Sequence, residues 1–447
     1  MQFYQNLPDF EFPPEFGNVT DYFKHLVVEG LAKRYPKENE IKDEAWEVIK
    51  KRADYEMDLI IQLNFVNYFL IVSDYINWAK NHGMFIGPGL GSIGCSIVAY
   101  ALKITSIDPL QYNLLFERIL NPERLSPPDI DVDVGNEERD KVIEYIKEKY
   151  GQERVGYMLE THFNFPVGMD IYLAELVICK SSLHDFVPIT KDKKTGVNNV
   201  QCSFFELEKC GLTTFDFLGL KILDVIKHTV ELIHKLNGDY SDFCIENIPK
   251  DDLRTFTLFG EGKADGVFLF DSAGIKEICL KAKPCQFTDL IALHALYFPG
   301  NMIHIDRFIE IKNGLRNIVY PDPCMEDILK ETYGIIVYQE QIMLIIRRIT
   351  GYSLGAANIV RRILDKRNKE QTEKEKERFI SAALSHGFEQ QHAADLFDLI
   401  ASSAPLAFCK SYAVAYTLIA YQAAYLKANF PEQYKIAYCK YLEDVIE

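Results

Sequence analysis

The sequence predicts an α+β protein, in which a mixed α/β N-terminal half is followed by a mostly helical C-terminal half. Two short strand-like segments, 127–134 and 213–217, are each followed by a run with the apolar spacing of an amphipathic helix. From about residue 240 onward, helical spacing dominates. The 447 residues, of which 48% are apolar and 26% charged, suffice for two to four domains with cores of their own.

The N-terminal half opens with helical apolar spacing over residues 40–80, which leads into a glycine-rich stretch at 86–96. The apolar run 97–102 follows it, so we predict a loop that opens a helix. The first strand-like segment alternates polar and apolar residues, and residues 139–150 follow it as an amphipathic helix.

The second strand-like segment precedes a predicted helix over residues 220–236. Between the two segments, residues 155–205 are weakly patterned, and 191–196 is a candidate turn. The helical half is interrupted at Pro299-Gly300, where we expect a helix to end.

The net charge limits the kinds of partner. Lys and Arg number 49 and Asp and Glu number 65, which gives a formal charge of −16 and repels polyanions at long range. Any surface that binds nucleic acid must therefore be local.

The ten cysteines are scattered without a Cys-x-x-Cys pair or a Cys/His cluster, which favours a reducing, cytoplasmic setting over a zinc site or a disulfide framework. The N-terminus lacks the pattern of a signal peptide. Residues 411–426 are uncharged, but they are too few for a bilayer span and include Ser411, Thr417 and Gln422. We predict a buried helix there and no membrane role.

Three aspartates alternate with apolar residues in the first strand-like segment. Asp129, Asp131 and Asp133 therefore share one face of a strand. Aspartate is disfavoured in strands, and neighbouring carboxylates repel unless a cation lies between them. A solvated edge strand is the simpler explanation, but the Ile and Val residues of the opposite face imply a core beneath it. We therefore favour divalent-cation binding.

Nucleotidyl transfer by two metal ions requires such carboxylates, which hold Mg2+ ions about 4 Å apart. A neighbouring strand usually supplies a further carboxylate, and Asp216 in the second strand-like segment is the strongest candidate. Taken alone, Asp216 would more often be a turn or cap residue.

Residues 87–94, the glycine stretch, can present backbone N–H groups and the Ser92 hydroxyl to phosphates. The same residues satisfy Gly-x-Gly-x-x-Gly at 89, 91 and 94, so a dinucleotide-binding fold is a rival. That fold needs an acidic residue about 20 positions further on, after a second strand. Asp108 has this spacing but lies in a predicted turn. The carboxylate strand decides for nucleotidyl transfer.

Residues 345–379 form a basic segment, with ten Lys and Arg against five Asp and Glu. The signs alternate over 370–378, which is typical of a solvated helix with i, i+4 ion pairs. The pair Arg361 and Arg362, which precedes Lys366, Arg367 and Lys369 by four to eight residues, is less easily neutralised. There we weigh phosphate contact equally against a solvated helix. His294 and His304 have no partners at ligand spacing, so packing is favoured over metal binding.

Motifs along nearly the whole chain resemble the catalytic alpha subunit of bacterial DNA polymerase III, a C-family replicative polymerase. They are Tyr22–Val27, Asn67–Val72, Gly87-Pro88-Gly89 with Gly91-Ser92, Leu115–Arg118, Asn121–Arg124, Pro128–Asp133, Phe215–Leu220, Tyr333–Gln341, Arg361-Arg362, Lys410-Ser411 and Ala415-Tyr416. In combination these motifs are highly specific.

The resemblance implies a nucleotidyltransferase palm of the polymerase-beta type over residues 1–235 and a mostly helical fingers domain over 236–447. It implies that two Mg2+ ions bind the three carboxylates Asp131, Asp133 and Asp216. The further residues it implies are Gly91, Ser92, Arg361, Arg362 and Lys410 for nucleotide binding, and Lys366 and Arg367 for DNA binding. The expected partners are a DNA primer-template, deoxynucleoside triphosphates and other replication proteins.

Three departures from the family remove cations from the expected nucleotide site. Leu90 replaces an Arg between two glycines, Thr214 replaces a Lys two residues before the third aspartate, and Phe298 replaces an Arg before Pro-Gly. Cys409 and Tyr412 replace the family's Asn and His around Lys-Ser, and Leu269 replaces a Gln.

The interval from Asp133 to Asp216 is shorter than the family's, and the thumb is expected to be absent between 155 and 205. We also expect no counterpart of the family's N-terminal phosphoesterase-like domain, clamp-binding region or C-terminal OB domain. Two hypotheses therefore stay open. The chain is a shortened DNA polymerase, or it is a catalytically impaired paralogue that binds DNA or replication partners.

Overall fold

The computed structural model describes residues 4–36, 43–123, 128, 130–158, 163–164, 170–191, 198–236 and 240–446. The chain divides into two compact units. The first, here called the sheet unit, comprises Met1–Ile119, Pro127–Asp242 and Gln433–Glu447. The second, the helical unit, comprises Leu120–Ser126 and Phe243–Glu432.

The sheet unit contains one mixed seven-stranded sheet. Its strands are β1 Asp131–Val134, β2 Val155–Tyr157, β3 Phe163–Asn164, β4 Asp170–Ile178, β5 Ile189–Lys191, β6 Asn198–Val200 and β7 Thr214–Gly219. They lie in the order β1-β7-β4-β2-β6-β5, with β3 paired to β4. The pairs β1/β7 and β2/β6 are parallel and the other pairs are antiparallel.

Helices cover this sheet and complete the unit. They are α1 Val19–Arg34, α2 Asp43–Gln62, α3 Val66–Asn81, α4 Ile97–Ala101, α5 Arg139–Tyr150, α6 Phe204–Lys209 and α7 Lys221–His234. Helix α3 forms the core against β7, because Phe215 lies 5.3 Å from Tyr68 and Phe217 lies 5.1 Å from Tyr75, measured between ring centroids. This packing fixes which face of β7 is buried.

The weakly patterned interval 155–205 folds mainly as strands. Among its described residues are β2 to β6, a 3-10 turn at Leu183–Asp185 and the start of α6. A small apolar core holds this region together: Val177, Cys179, Leu183, Val187, Val200, Leu207 and Leu212. The predicted turn at 191–196 lies almost entirely outside the described residues.

The helical unit is built from short and medium helices. They are α8 Leu253–Gly260, α9 Ala273–Ala282, α10 Phe287–Leu296, α11 Ile305–Lys312, α12 Glu326–Leu329, α13 Gln339–Thr350, α14 Leu354–Asp365, α15 Lys369–Ser385, α16 Gln390–Ser403 and α17 Lys410–Asn429. Several begin at a side-chain N-cap, as at Ser353 of α14 and Asn368 of α15. Helix α10 ends before Pro299-Gly300, as predicted, and α17 contains the uncharged run as a buried helix.

The last helix, α18 Pro431–Ile446, begins in the helical unit and continues into the sheet unit. Its Lys440 ammonium lies 3.2 Å from Glu137, which explains why the C-terminal residues belong with the sheet. The sequence places the division at 235–236, and the main division of the structure lies at 242–243. In addition, residues 120–126 belong to the helical unit and residues 433–447 to the sheet unit.

The predicted α+β class, with a mixed first unit and a helical second one, is confirmed. The first strand differs from expectation, since it begins at Asp131. The short helix after the glycine stretch, Ile97–Ala101, agrees with the predicted run 97–102. No single described helix is long and apolar enough to cross a membrane, although α2 and α3 together meet that test as a pair bent by 113°.

Candidate active site

Two of the predicted site carboxylates lie side by side in the sheet. Strands β1 and β7 are parallel neighbours, and their register places Asp131 opposite Asp216. Phe215 and Phe217 point toward α3, so Asp216 points to the other face of the sheet, where both carboxylates are partly exposed. Asp129 lies outside the described residues.

Asp133 lies on the same strand face as Asp131 but is buried, with 1% of its surface exposed. Neither of its carboxylate oxygens accepts a hydrogen bond from a residue that the structure describes. Burial raises the pKa of Asp133 to about 8. A buried carboxylate without partners is costly, so this position favours either a proton or a cation.

The glycine stretch is attached to the free edge of β1. Ile86 forms an antiparallel bridge with Val134, and the Gly87 N–H donates to the Asp133 carbonyl at 2.8 Å. A Cβ on Gly87 would lie 2.5 Å from the Asp133 Cβ, so only glycine fits there. The chain then runs back along β1 to Gly91, whose φ of +73° suits glycine. A Cβ on Gly91 would lie 3.4 Å from Asp131 Oδ2.

The glycine stretch therefore faces the carboxylates, as its predicted role requires. It does not open directly into a long helix: Gly91–Cys95, which includes the partly exposed Ser92, forms a 3-10 turn before α4.

Buried polar groups hold this turn from behind. The Glu56 carboxylate accepts hydrogen bonds from the Ser96 hydroxyl at 2.7 Å and the Val98 N–H at 3.1 Å. Arg52 pairs with Glu56 at 2.6 Å and also donates to the Cys95 carbonyl at 2.9 Å. The position of the glycine stretch is thus fixed by α2 as well as by β1.

The dinucleotide-binding alternative is not supported. The glycine stretch follows a single bridge residue rather than a strand, and its helix is too short for the strand–loop–helix unit of that fold. Asp108 caps a turn, since its carboxylate accepts from the Leu110 N–H at 2.9 Å.

Sequence reasoning missed one carboxylate on this face. Strands β4 and β7 are antiparallel, and their register places Glu175 opposite Asp216, so Asp131, Asp216 and Glu175 form a row across three neighbouring strands. We call these three residues the carboxylate row. The available signal was a lone Glu between apolar residues at 173–178.

Two of the positions that lack the family's cations are buried in the sheet unit. Leu90 is 3% exposed and Thr214 is 6% exposed, and Thr214 lies on the face of β7 that carries Asp216. The third, Phe298 in the helical unit, is 48% exposed, and its ring centroid lies 5.2 Å from that of Phe408. The Phe408 ring centroid also lies 5.6 Å from that of Tyr412. Aromatic rings thus occupy positions 298 and 412, where the family has basic residues.

Among the predicted cations of the helical unit, two are buried and paired. Arg361 donates to the Asn358 side chain at 3.1 Å and lies 3.8 Å from Asp365. Lys410 forms an ion pair with Glu331 at 2.6 Å and lies over the Tyr338 ring at 5.3 Å.

The remaining basic residues lie near the end of α14. Arg362 is partly exposed, and Lys366 and Arg367 are exposed just beyond the last helical residue. His294 packs 5.4 Å from Phe408, and burial lowers the pKa of its imidazole to about 4. Partial burial also lowers the pKa of His304.

The residues present suit Mg2+ chemically, because the ion prefers carboxylate oxygens and Asp133 is a buried carboxylate without hydrogen-bond partners. In the conformation observed, however, no three His, Cys, Asp or Glu side chains of the described ranges stand close enough together to hold an ion. The backbone thus brings the carboxylates into register, while the side chains are not gathered around one point.

Two sequence families match the chain. The family described as the bacterial DNA polymerase III alpha NTPase domain matches residues 21–164. The family described as the bacterial DNA polymerase III alpha subunit finger domain matches residues 222–387. The first contains the glycine stretch, Asp131 and Asp133, and the second contains α14.

Curated relatives agree. The chain is 42% identical to DNA polymerase III subunit alpha of Treponema pallidum, with 96% of this chain and 42% of that protein covered. It is 40% identical to the Borreliella burgdorferi protein of the same name, with 96% of this chain and 42% of that protein covered. It is 36% identical to the Pseudomonas aeruginosa protein of that name, with 96% of this chain and 44% of that protein covered. The chain thus spans less than half the length of these relatives.

The Treponema pallidum alignment extends over 496 residues, whereas this chain has 447, so at least 49 residues (496 − 447) of the relative have no counterpart within the matched region.

Proposed function

The chain belongs to the family of bacterial DNA polymerase III alpha subunits, and on that premise we propose that it is a DNA-directed DNA polymerase. Its substrates would be a DNA primer-template and deoxynucleoside triphosphates. The observation that carries the proposal is the register of Asp131 against Asp216 beside Gly91, because nucleotidyl transfer needs carboxylates and an open backbone at one place.

Asp131, Asp133 and Asp216 would hold two Mg2+ ions. Bound Mg2+ ions supply charge neutralisation and activation of the primer hydroxyl. Asp133, which is buried against Gly87, provides a carboxylate that has lost its water and therefore favours a cation strongly. Gly91 leaves the space beside Asp131 free of side-chain atoms, and the Ser92 hydroxyl adds a donor for a phosphate oxygen.

The helical unit would supply positive charge to the substrates. Lys366 and Arg367 are exposed and suit the DNA backbone, and Arg362 is partly exposed. Arg361 and Lys410 would contact the triphosphate only after exchange of their partners Asp365 and Glu331. Other replication proteins are expected partners by family.

A second function is favoured by a specific observation: the apolar or neutral residues at 90 and 214 are packed into the interior. Each missing cation forfeits a charge-assisted hydrogen bond of about 1.5 to 3 kcal/mol. Nucleotide capture could then be weak by orders of magnitude. The chain would in that case be an impaired paralogue that binds DNA or replication proteins.

A primer-extension assay separates the two functions. The purified chain is tested with Mg2+ and then Mn2+, and DNA affinity is measured in parallel by fluorescence anisotropy. Asp131→Asn removes a proposed ligand, and Glu148→Gln, an exposed carboxylate on α5, is the matched control. Extension that is lost only in Asp131→Asn supports the polymerase. DNA binding without extension under either metal supports the impaired paralogue.

A further inference from the structure

We infer that Cys285 and Lys312 form a redox-sensitive covalent link, in which a peroxide oxidises the thiol and the lysine amine then bonds to the sulfur. The side chains involved, Cys285, Lys312 and Asp289, all lie in the helical unit. None of them belongs to the residues proposed for nucleotidyl transfer or DNA binding, so the link goes beyond the proposed function and does not depend on it.

The three side chains meet at the N-terminal end of α10. The Lys312 ammonium donates to the Cys285 sulfur at 3.6 Å and forms an ion pair with Asp289 at 2.9 Å. The Cys285 thiol lies 3.6 Å from the same Asp289 oxygen. Formation of a sulfur–nitrogen bond requires a sulfur that can be oxidised, an amine that attacks it and a base that takes a proton from the amine. All three groups are in mutual contact here.

Local structure fixes the carboxylate and the amine. Asp289 is the third residue of α10, and its carboxylate accepts the backbone N–H groups of Cys285 at 3.0 Å and Gln286 at 3.3 Å as part of a capping box. The Asp289 side chain is 2% exposed, and that of Lys312, the last residue of α11, is 8% exposed. Because the ammonium is buried and paired, it stays directed at the sulfur.

Cys285 is accessible to a small oxidant, whereas the preceding cysteine is not. Cys285 is exposed and its sulfur contacts an ammonium, and oxidation of cysteine is favoured by exposure and by a neighbouring cation. The Asp289 carboxylate, whose charge opposes this effect, is already paired with that ammonium. Cys279 on α9 is 1% exposed, and burial raises the pKa of its thiol to about 12. We therefore expect peroxide to react at Cys285 and to spare Cys279.

The chemistry balances in two steps. In the first, the O–O bond of hydrogen peroxide breaks and an S–O bond forms, so the Cys285 thiol becomes a sulfenic acid and one water is released. The sulfur loses two electrons, which reduce the peroxide. In the second, the Lys312 ammonium gives one proton to Asp289, the amine attacks the sulfur, and the S–O bond breaks. The hydroxide leaves as water with a second proton of the amine, and Asp289 returns its proton to solvent.

The link would act as a reversible cross-link within the helical unit. It joins the residue before the N-cap of α10 to the last residue of α11, and the two residues are 27 positions apart. A cross-link of this span restricts the unfolded chain and so stabilises the folded one. Thiol reductants reverse the oxidation of cysteine at this level. The stability of the helical unit would therefore follow the redox state of its surroundings.

The experiment treats the full chain with hydrogen peroxide and measures its intact mass and its tryptic peptides by mass spectrometry. We expect a chain lighter by two hydrogen atoms, in which the peptides of Cys285 and Lys312 are joined, and we expect dithiothreitol to restore the original mass. The unfolding midpoint, measured by calorimetry, should rise by about 5 to 10 °C on oxidation and return on reduction.

Three variants test the assignment. Lys312→Arg keeps the positive charge but lacks the primary amine, so the sulfenic acid should accumulate at Cys285 and be labelled there by dimedone. Cys285→Ser should form neither the acid nor the link. Cys244→Ser, which removes another exposed cysteine of the helical unit, should form the link as wild type does.

Three outcomes would overturn the inference. They are oxidation of wild-type Cys285 to an acid without a link to Lys312, a disulfide at Cys285 in place of that link, and an equal yield of the cross-linked mass in Lys312→Arg. The first two are read from the wild-type chain alone, so the test does not require that a variant folds.

Discussion

Asp133 offers a test of the site at the scale of one residue. Its pKa is raised from the usual range near 4 to about 8, so the folded, metal-free protein holds this proton more tightly than the unfolded chain does. The contribution to stability is complete below about pH 4 and is lost as the pH rises toward 8. Each pKa unit corresponds to about 1.4 kcal/mol.

We therefore expect the free energy of unfolding in EDTA to fall by a few kcal/mol between pH 5 and pH 8. Urea titrations at each pH measure it. In Asp133→Asn the decline should be much smaller. At pH 8, Mg2+ should raise the free energy of unfolding of wild type but should leave that of the variant unchanged. An equal decline in both proteins would show that Asp133 is not the titrating group.

Phe298 allows a cation to be restored without disturbing a core. Because its ring is 48% exposed, Phe298→Arg should change the unfolding midpoint little and should strengthen binding of deoxynucleoside triphosphates several-fold. Isothermal titration calorimetry measures the affinity. Phe205→Arg places the same charge at another exposed Phe, 63% exposed on α6, and is the control. If both variants gain the same affinity for deoxynucleoside triphosphates, the effect comes from net charge alone.

Leu90 and Thr214 differ from Phe298 because they are buried. A guanidinium or ammonium group at either position would be buried too unless the surrounding structure moved. We expect Leu90→Arg to cost about 2 to 5 kcal/mol of stability, as loss of a buried Leu usually does.

At the scale of elements, the contact between the glycine stretch and β1 is the feature to test. Gly87→Ala places a methyl group 2.5 Å from the Asp133 Cβ, so the strand or the loop must shift. We expect a loss of about 1 to 3 kcal/mol and at least tenfold weaker Mn2+ binding. Gly260→Ala at the end of α8, where the nearest atom lies 3.9 Å away, should affect neither quantity. Normal Mn2+ binding by Gly87→Ala would separate the glycine stretch from the cation site.

The end of α14 carries the exposed cations that we assign to DNA. The double variant Lys366→Glu, Arg367→Glu should weaken DNA binding and reduce the slope of log affinity against log salt by about two, since each phosphate contact contributes about 0.9. Fluorescence anisotropy between 50 and 300 mM salt measures both. Lys374→Glu on α15, whose ammonium already pairs with Glu370, is the control. An unchanged slope would show that Lys366 and Arg367 do not contact DNA phosphates and belong to a solvated helix end.

At the scale of the whole molecule, local sequence patterns predicted the strands and helices that local interactions determine. The strands around Asp131 and Asp216 and helix α7 follow from alternation and helical spacing, and their observed bounds agree to within a few residues. The α+β class followed from the same patterns. Helix α4, Ile97–Ala101, matches the predicted run 97–102, and the buried Glu56 holds its N-terminal end through Ser96 and Val98.

The pairing of β4 with β7 could not be predicted from the sequence. Glu175 and Asp216 are 41 residues apart, and no local signal indicates that β4 lies beside β7. The burial of Arg361 and Lys410 was equally invisible, since their partners depend on tertiary packing. Sequence reasoning located Asp131, Asp133 and Asp216 and expected Asp216 on a neighbouring strand, whereas only the fold places Glu175 beside them.

The net charge of −16 adds a constraint on the whole chain. On the proposed function, DNA would bind against a repelling background, so we expect its affinity to depend on few cations and on ionic strength.

We propose that the three aspartates hold the metal ions for nucleotidyl transfer. Single-turnover addition of one nucleotide to a labelled primer, with Mn2+ and saturating DNA, tests it most directly. We expect wild type to extend the primer by one nucleotide and Asp216→Asn to be at least 100-fold slower at equal DNA occupancy. Extension at the same rate in both proteins, or no extension by wild type bound to DNA, would contradict the claim.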